Sequence, residues 1–266
     1  MKQGRSRTDR RAPWWLIAPA LLAVALLVAP LAGLLSRTHG ATLLRDLASP
    51  EVRAALRLSL LCSFAATALA IPLGLPLAWI LARTQMPGRR WLRALVTLPM
   101  VLPPVVGGVA LLFAFGRRGL IGRWIEALFG VSLPFTTSAV VLAETFVAMP
   151  FLVAAAEAGF RQVDARYEEA AATLGAGRLH TLLHVTIPLA LPALAAGVAL
   201  CWARALGEFG ATITFAGNLP GVTQTLPLAV YVALETRPEA AVAMSLILLA
   251  ISVAVLAALR DRWLGA

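Results

Sequence analysis

The chain has 266 residues, of which 60% are hydrophobic and only 14% charged, too little charge for a soluble globule to show to water. Its formal net charge of +10 would suit nucleic acid in a soluble chain. Here the basic residues cluster in short loops between apolar runs, the pattern that orients membrane proteins, so nucleic acid is set aside as a partner and a lipid bilayer takes its place.

Uncharged runs extend over Ala12–Ser36, Leu58–Ala82, Ala94–Gly116 and Ala240–Leu259, each long enough to cross ~30 Å of hydrocarbon as a helix. After a basic tail, residues 1–13, the first run begins at Trp14 and exceeds the ~7 to 15 apolar residues of a secretion signal, which makes it an uncleaved anchor. The second span starts at Ser59 and the third at Leu95. Pro99, Pro103, Pro104, Gly107 and Gly108 predict that the third is bent or broken. A fourth runs from about Phe135 to Ala156 and contains Glu144. A fifth starts near Ile187 and reaches Arg204 and Glu208, and the sixth covers Ala240–Leu259. Between the last two, Phe209–Leu234 is uncharged, but Gly210, Gly217, Asn218, Pro220, Gly221, Gln224 and Pro227 predict a looped or re-entrant stretch. The expected fold is an all-α integral membrane protein of about six transmembrane helices, occupying residues 14–260, with a short tail at 261–266.

Six crossings put both ends on one side. That side collects fourteen Lys and Arg against eight on the other, and the basic side is expected to be cytoplasmic. The loop 157–190, between the fourth and fifth spans, is the longest there. Within it Asp164 can cap a short helix, ARYEEAAATL, with Glu168 and Glu169 in its early turns and Gly175 as a left-handed stop. A second short helix, RLHTLLHV, is predicted to put Leu179, Leu182 and Leu183 on one face before Pro188 leads into the membrane. A helix, glycine turn, helix knuckle of this kind suits a groove on another protein; a plain solvated connection has the same ingredients.

The stretch resembles the permease signature of ATP-binding-cassette importers. Glu169, Ala170 and Ala171 match its Glu-Ala-Ala opening, Gly175 follows after three residues, and Val185, Thr186, Ile187 and Pro188 close it after nine more. Downstream, RALGEFGATITFAGNLPGVTQTLPLAVY, Arg204 to Tyr231, is similar to the corresponding region of molybdate permeases. Sulfate and thiosulfate permeases share the RAxGEFG core, with Phe or Tyr at its sixth position, but usually differ in the residues that follow, and the wording GATITFAGN favours molybdate. The resemblance implies a cytoplasmic coupling helix between spans 4 and 5, with Glu168, Glu169, Ala170, Ala171, Gly175, Gly177 and Pro188 at the interface to an ATPase subunit. It also implies a homodimer of this chain, two cytoplasmic ATPase subunits, a periplasmic or extracellular oxyanion-binding protein, and residence in a bacterial or archaeal cytoplasmic membrane. A sulfate or thiosulfate permease is the alternative within the class; a membrane scaffold or an integral enzyme is the alternative outside it.

A phosphate-cradling P-loop needs a lysine, and the only one is Lys2. No cofactor is therefore expected on this chain, with ATP and Mg on the partner ATPase, and no catalytic group is visible. His180 and His184 have metal-compatible spacing but lack a third ligand nearby, and Cys62 and Cys201 read as small core residues. Mid-membrane charge is costly, so Arg204 should pair, either with Glu208 one turn later or with Glu144 if spans four and five pack together. These three residues are candidates for a gate or for a structural ion pair.

Overall fold

The computed structural model describes residues 14–38 and 40–263; the basic tail 1–13 and the end of the C-terminal tail, 264–266, lie outside the described residues. The helices are α1 (Trp14–Ser36), α2 (Gly40–Leu47), α3 (Pro50–Arg83), α4 (Arg89–Val101), α5 (Pro104–Phe115), α6 (Gly122–Phe129) and α7 (Thr137–Gln162). They are followed by α8 (Ala165–Thr173), α9 (Arg178–Thr181), a π turn (Leu182–Thr186), α10 (Ile187–Leu206), α11 (Gly210–Phe215), α12 (Leu226–Thr236) and α13 (Pro238–Trp263). Sequence chemistry sets the long starts. Ser49 accepts a hydrogen bond from Val52 N and Pro50 opens α3, while Thr136 accepts from Ala139 N at the start of α7.

The core forms around α7, which packs between α3 and α10. Small residues let the backbones approach, as is usual where lipid removes the hydrophobic drive between helices. A Cβ on Gly159 would stand 2.5 Å from the Ala193 Cβ, and one on Gly197 3.0 Å from the Ala155 Cβ. Cys62 and Cys201 are both free thiols buried in this core.

The third span breaks as expected. Leu102 and Pro103 are extended because each precedes a proline, and the path bends by 116° between α4 and α5. The pair nonetheless crosses, because its neighbours on α7 step steadily along that helix. Arg93 meets Glu157, Val96 packs with Val153, Gly107 faces Phe146, and Leu111 lies with Ala139 and Val140. This is a progression of about 18 residues or about 27 Å. Five single helices are long and apolar enough to cross a membrane, and with this broken pair the candidate crossings among the described residues number six.

The stretch after α10 is re-entrant, and two short helices sit in it. Gly210 lies against Pro104, and Phe215 lies in the Val140 cluster. Gly217, at φ +75, touches Phe135, and Thr137 donates to Val222 O. The chain then dips back, with Leu226 N donating to Ser59 Oγ, before α12 returns to the level of Arg237 and Glu51. It never crosses. By contrast, α1 is apolar all round and buries none of its residues; it meets α13, and most of its surface is left for lipid or another chain.

Candidate functional site

At the end of the bundle that holds the α3 C-terminus, α7 hands over to α8 through Asp164, whose carboxylate accepts from Arg166 N at 3.0 Å. The far end closes as a Schellman motif. Ala176 N donates to Ala171 O and Gly175 N to Ala172 O, both at 3.0 Å, with Gly175 at φ +85. Gly175 is the left-handed stop read from the sequence. Gly177 has an ordinary negative φ and serves as the N-cap of α9.

The second short helix does not exist as a separate piece. Four residues of α9 run through the π turn into α10, so Arg178–Leu206 is one continuous rod. Leu179, Leu182 and Leu183 do not form a packed face either: Leu179 and Leu183 are exposed and Leu182 is half-buried, while Thr181 and Thr186 turn inward. Leu179 and Leu183, one turn apart, share a face, and it points outward because Thr181 and Thr186 take the inner side. His180 and His184 stack at 4.1 Å between ring centroids on the exposed side.

No residue of α8 is buried. Its two glutamates part ways. Glu168 turns inward, pairing with Arg83 at 3.0 Å and accepting from Thr186 Oγ1 at 2.8 Å, and Arg83 Nη2 also donates to Val163 O at 2.9 Å. Glu169, Ala170, Gly175, Gly177 and Pro188 are exposed, and Ala171 is half-covered. Tyr167 and Leu174 stand out beside them, Leu174 at 89% exposure. Behind this knuckle Glu157, largely buried in α7, pairs with Arg93 of α4 at 2.5 Å and with Arg161, one turn on, at 2.6 Å. Sequence reading missed Arg83, Tyr167, Leu174, the bond of Thr186 to Glu168 and this clamp; only Glu157 and Arg161, four apart with opposite charges, carried a readable signal.

Deeper in the bundle Arg204 Nη2 pairs with Glu208 at 2.6 Å, and the other Glu208 oxygen accepts from Ala211 N at 2.8 Å. Glu208 therefore lies just beyond α10 and ties its end to the first turn of α11, which begins at Gly210. The alternative pairing of Arg204 with Glu144 is not formed. Glu144 is buried in α7, and its Oε2 has no hydrogen-bond partner.

Apolar helices with a capped, uncovered helix standing at one end are the architecture of a membrane-spanning protein that leaves a surface open to a partner. Residues 70–265 match the binding-protein-dependent transport system inner membrane components, and the chain belongs to that family. It is 48% identical over 90% of its length, and 90% of the relative's, to the molybdenum transport system permease protein ModB of Mycobacterium bovis. The Escherichia coli ModB is 42% identical over 82% of this chain and 95% of its own, and the E. coli sulfate transport system permease CysT is 40% identical over 76% and 73%. Among solved structures, a bacterial ABC transporter that imports alginate superposes with a TM-score of 0.72 at 17% identity, covering 93% of this chain and 95% of that one, a likeness of fold.

Proposed function

We propose that this chain is the membrane-spanning permease of an ATP-driven importer that passes molybdate, or tungstate of the same charge and shape, into the cytoplasm. The carrying observation is α8: capped at both ends, with no buried residue, and turning Tyr167, Glu169 and Leu174 away from the bundle. A short rigid helix that buries nothing at home and displays an aromatic, an acid and a leucine is shaped for a groove on a partner. That partner is the ATPase subunit, which carries ATP and Mg; this chain carries no cofactor and does no chemistry of its own.

The excess of basic residues at the α8 end makes that end cytoplasmic, with both termini on the same side. The bare α1 supports a homodimer, in which a second copy completes the wall of the pathway. An oxyanion-binding protein on the opposite side delivers the substrate, because separating tetrahedral dianions of equal charge needs a closed set of fixed donors. Closure of the ATPases moves α8, and the helices rock to open the pathway alternately to each side. Arg204 and Glu208 hold the α10–α11 corner in this motion.

Gly175→Trp adds bulk and strain at a position where φ is +85 and nothing lies within 4 Å, so the chain should still insert but lose the ATPase on copurification. Retention of the ATPase by this variant would contradict the docking assignment. The resemblance to the sulfate permease gives a second reading of the substrate. Radiolabelled molybdate uptake that persists under excess sulfate separates the two, and full competition by sulfate would favour the alternative.

A further inference from the structure

The α8 helix has an unusual mechanical position. It buries none of its residues, and an open cavity of about 540 Å³ lies between it and the end of α3, lined among others by Trp79, Arg83, Ala172, Ala176 and Thr181. Close packing relays displacement from one element to another because interiors are dense. Here α8 meets α9 and the π turn but packs little against α3, and the covalent link to α9 runs through Gly175 and Gly177. What joins α8 to the end of α3 is Glu168.

We propose that Arg83, Glu168 and Thr186 form a polar joint that transmits movement of α8 to the second and fifth spans. The inference rests on the docking reading above and assigns the inward glutamate a task different from that of the exposed Glu169. One carboxylate gathers the three elements. Arg83, the last residue of α3, pairs with it at 3.0 Å and donates to Val163 O, at the end of α7, at 2.9 Å. The Thr186 hydroxyl, from the π turn that opens the fifth span, donates to the same carboxylate oxygen at 2.8 Å.

Both bonds are assisted by charge on the acceptor, the guanidinium adding its own, and their surroundings are partly shielded. Thr186 is 1% exposed, and the Arg83 and Glu168 side chains are 17% and 27% exposed. The alternative acceptor for the Thr186 hydroxyl, Thr181 O, lies at 3.5 Å, the limit of a hydrogen bond. A push on α8 therefore reaches α3 directly through Arg83 as well as α10 through Thr186. The second and fifth spans move together instead of the fifth being dragged by its chain link alone.

The test uses the complete transporter in proteoliposomes, with permease, ATPase and binding protein, and reads oxyanion transported per ATP hydrolysed. Glu168→Gln, Arg83→Gln and Thr186→Val should each retain the ATPase on copurification yet lower that ratio about tenfold, the worth of one charge-assisted bond. Thr186→Ser, which keeps the hydroxyl, should stay at the wild-type ratio. The double variant Arg83→Gln with Glu168→Gln should fall no further than either single one, because the two act as one unit. A wild-type ratio in Glu168→Gln, or additive losses in the double variant, would overturn the joint. So would loss of the ATPase from Glu168→Gln, which would make Glu168 a docking residue. If Glu168→Gln fails to reach the membrane, the valine and serine variants at Thr186 decide: equal ratios in the two overturn it. Failure of the wild-type chain itself to hold the ATPase would count against the permease reading and not against the joint.

Discussion

Glu208→Ala would remove two bonds from the corner between α10 and α11. Glu208 is 1% exposed, and it holds Arg204 through one oxygen at 2.6 Å and the Ala211 N–H through the other at 2.8 Å. Breaking a buried ion pair costs ~3 to 5 kcal/mol. The Arg204 side chain keeps 28% exposure, which brings its share toward the lower end, about 3 kcal/mol; the orphaned N–H adds about 1 kcal/mol. At roughly 2 to 4 °C per kcal/mol for a chain of this size, the purified permease in detergent should melt about 10 °C lower. Glu208→Gln keeps an oxygen for Ala211 N–H and loses the ion pair, so it should show about three quarters of that drop. Arg204→Gln combined with Glu208→Gln should fall short of the sum of the single changes, because both remove one interaction. A melting temperature for Glu208→Ala within a degree of wild type would refute this reasoning. Loss of uptake at unchanged melting temperature would assign the pair to the gate instead of to the corner.

Gly175→Ala should destabilise the knuckle by about 1 to 2 kcal/mol through its left-handed φ alone, whereas Gly177→Ala, at a negative φ, should not; faster amide exchange in α8 for the first variant only is the expected readout. Gly159→Ala would press a methyl 2.5 Å from the Ala193 Cβ, and the overpacking of α7 on α10 should cost about 1 to 3 kcal/mol, seen as a lower melting temperature. Tyr167→Ala and Leu174→Ala touch exposed side chains and should leave stability within about 0.5 kcal/mol. Either should weaken ATPase binding about tenfold or more if the pair anchors the dock; titration of the ATPase onto the solubilised permease checks this, and unchanged affinity in both would remove them from the interface.

Much of the architecture was legible because a bilayer imposes blunt rules. Uncharged runs longer than a crossing located three single helices and the broken span, the apolar stretches around Glu144 and before Arg204 located two more, and the Pro103–Pro104 pair located the break, since each proline forces its predecessor out of the helix. The density of Gly, Pro and Asn after Phe209 marked the re-entrant stretch. Asp164 and Gly175 bounded α8 correctly because caps depend on one residue's side chain or φ. The π turn escaped, since LLHVT satisfies a helical pattern whether its bonds span four residues or five. Arg83 and Thr186 escaped for another reason. Their partner Glu168 lies 85 residues from one and 18 from the other, and no local period encodes such a meeting. The choice between Glu208 and Glu144 for Arg204 was equally out of reach, because it turns on where the chain bends after Leu206.

The central claim is a division of labour: this chain forms the path, and a separate ATPase drives it through α8. The most direct measurement is radiolabelled molybdate uptake into proteoliposomes that hold the permease and binding protein, with and without the ATPase subunit. Accumulation that requires both the ATPase and ATP is the expected result. Uphill accumulation by the permease without the ATPase, or ATP hydrolysis by the purified chain alone, would contradict it.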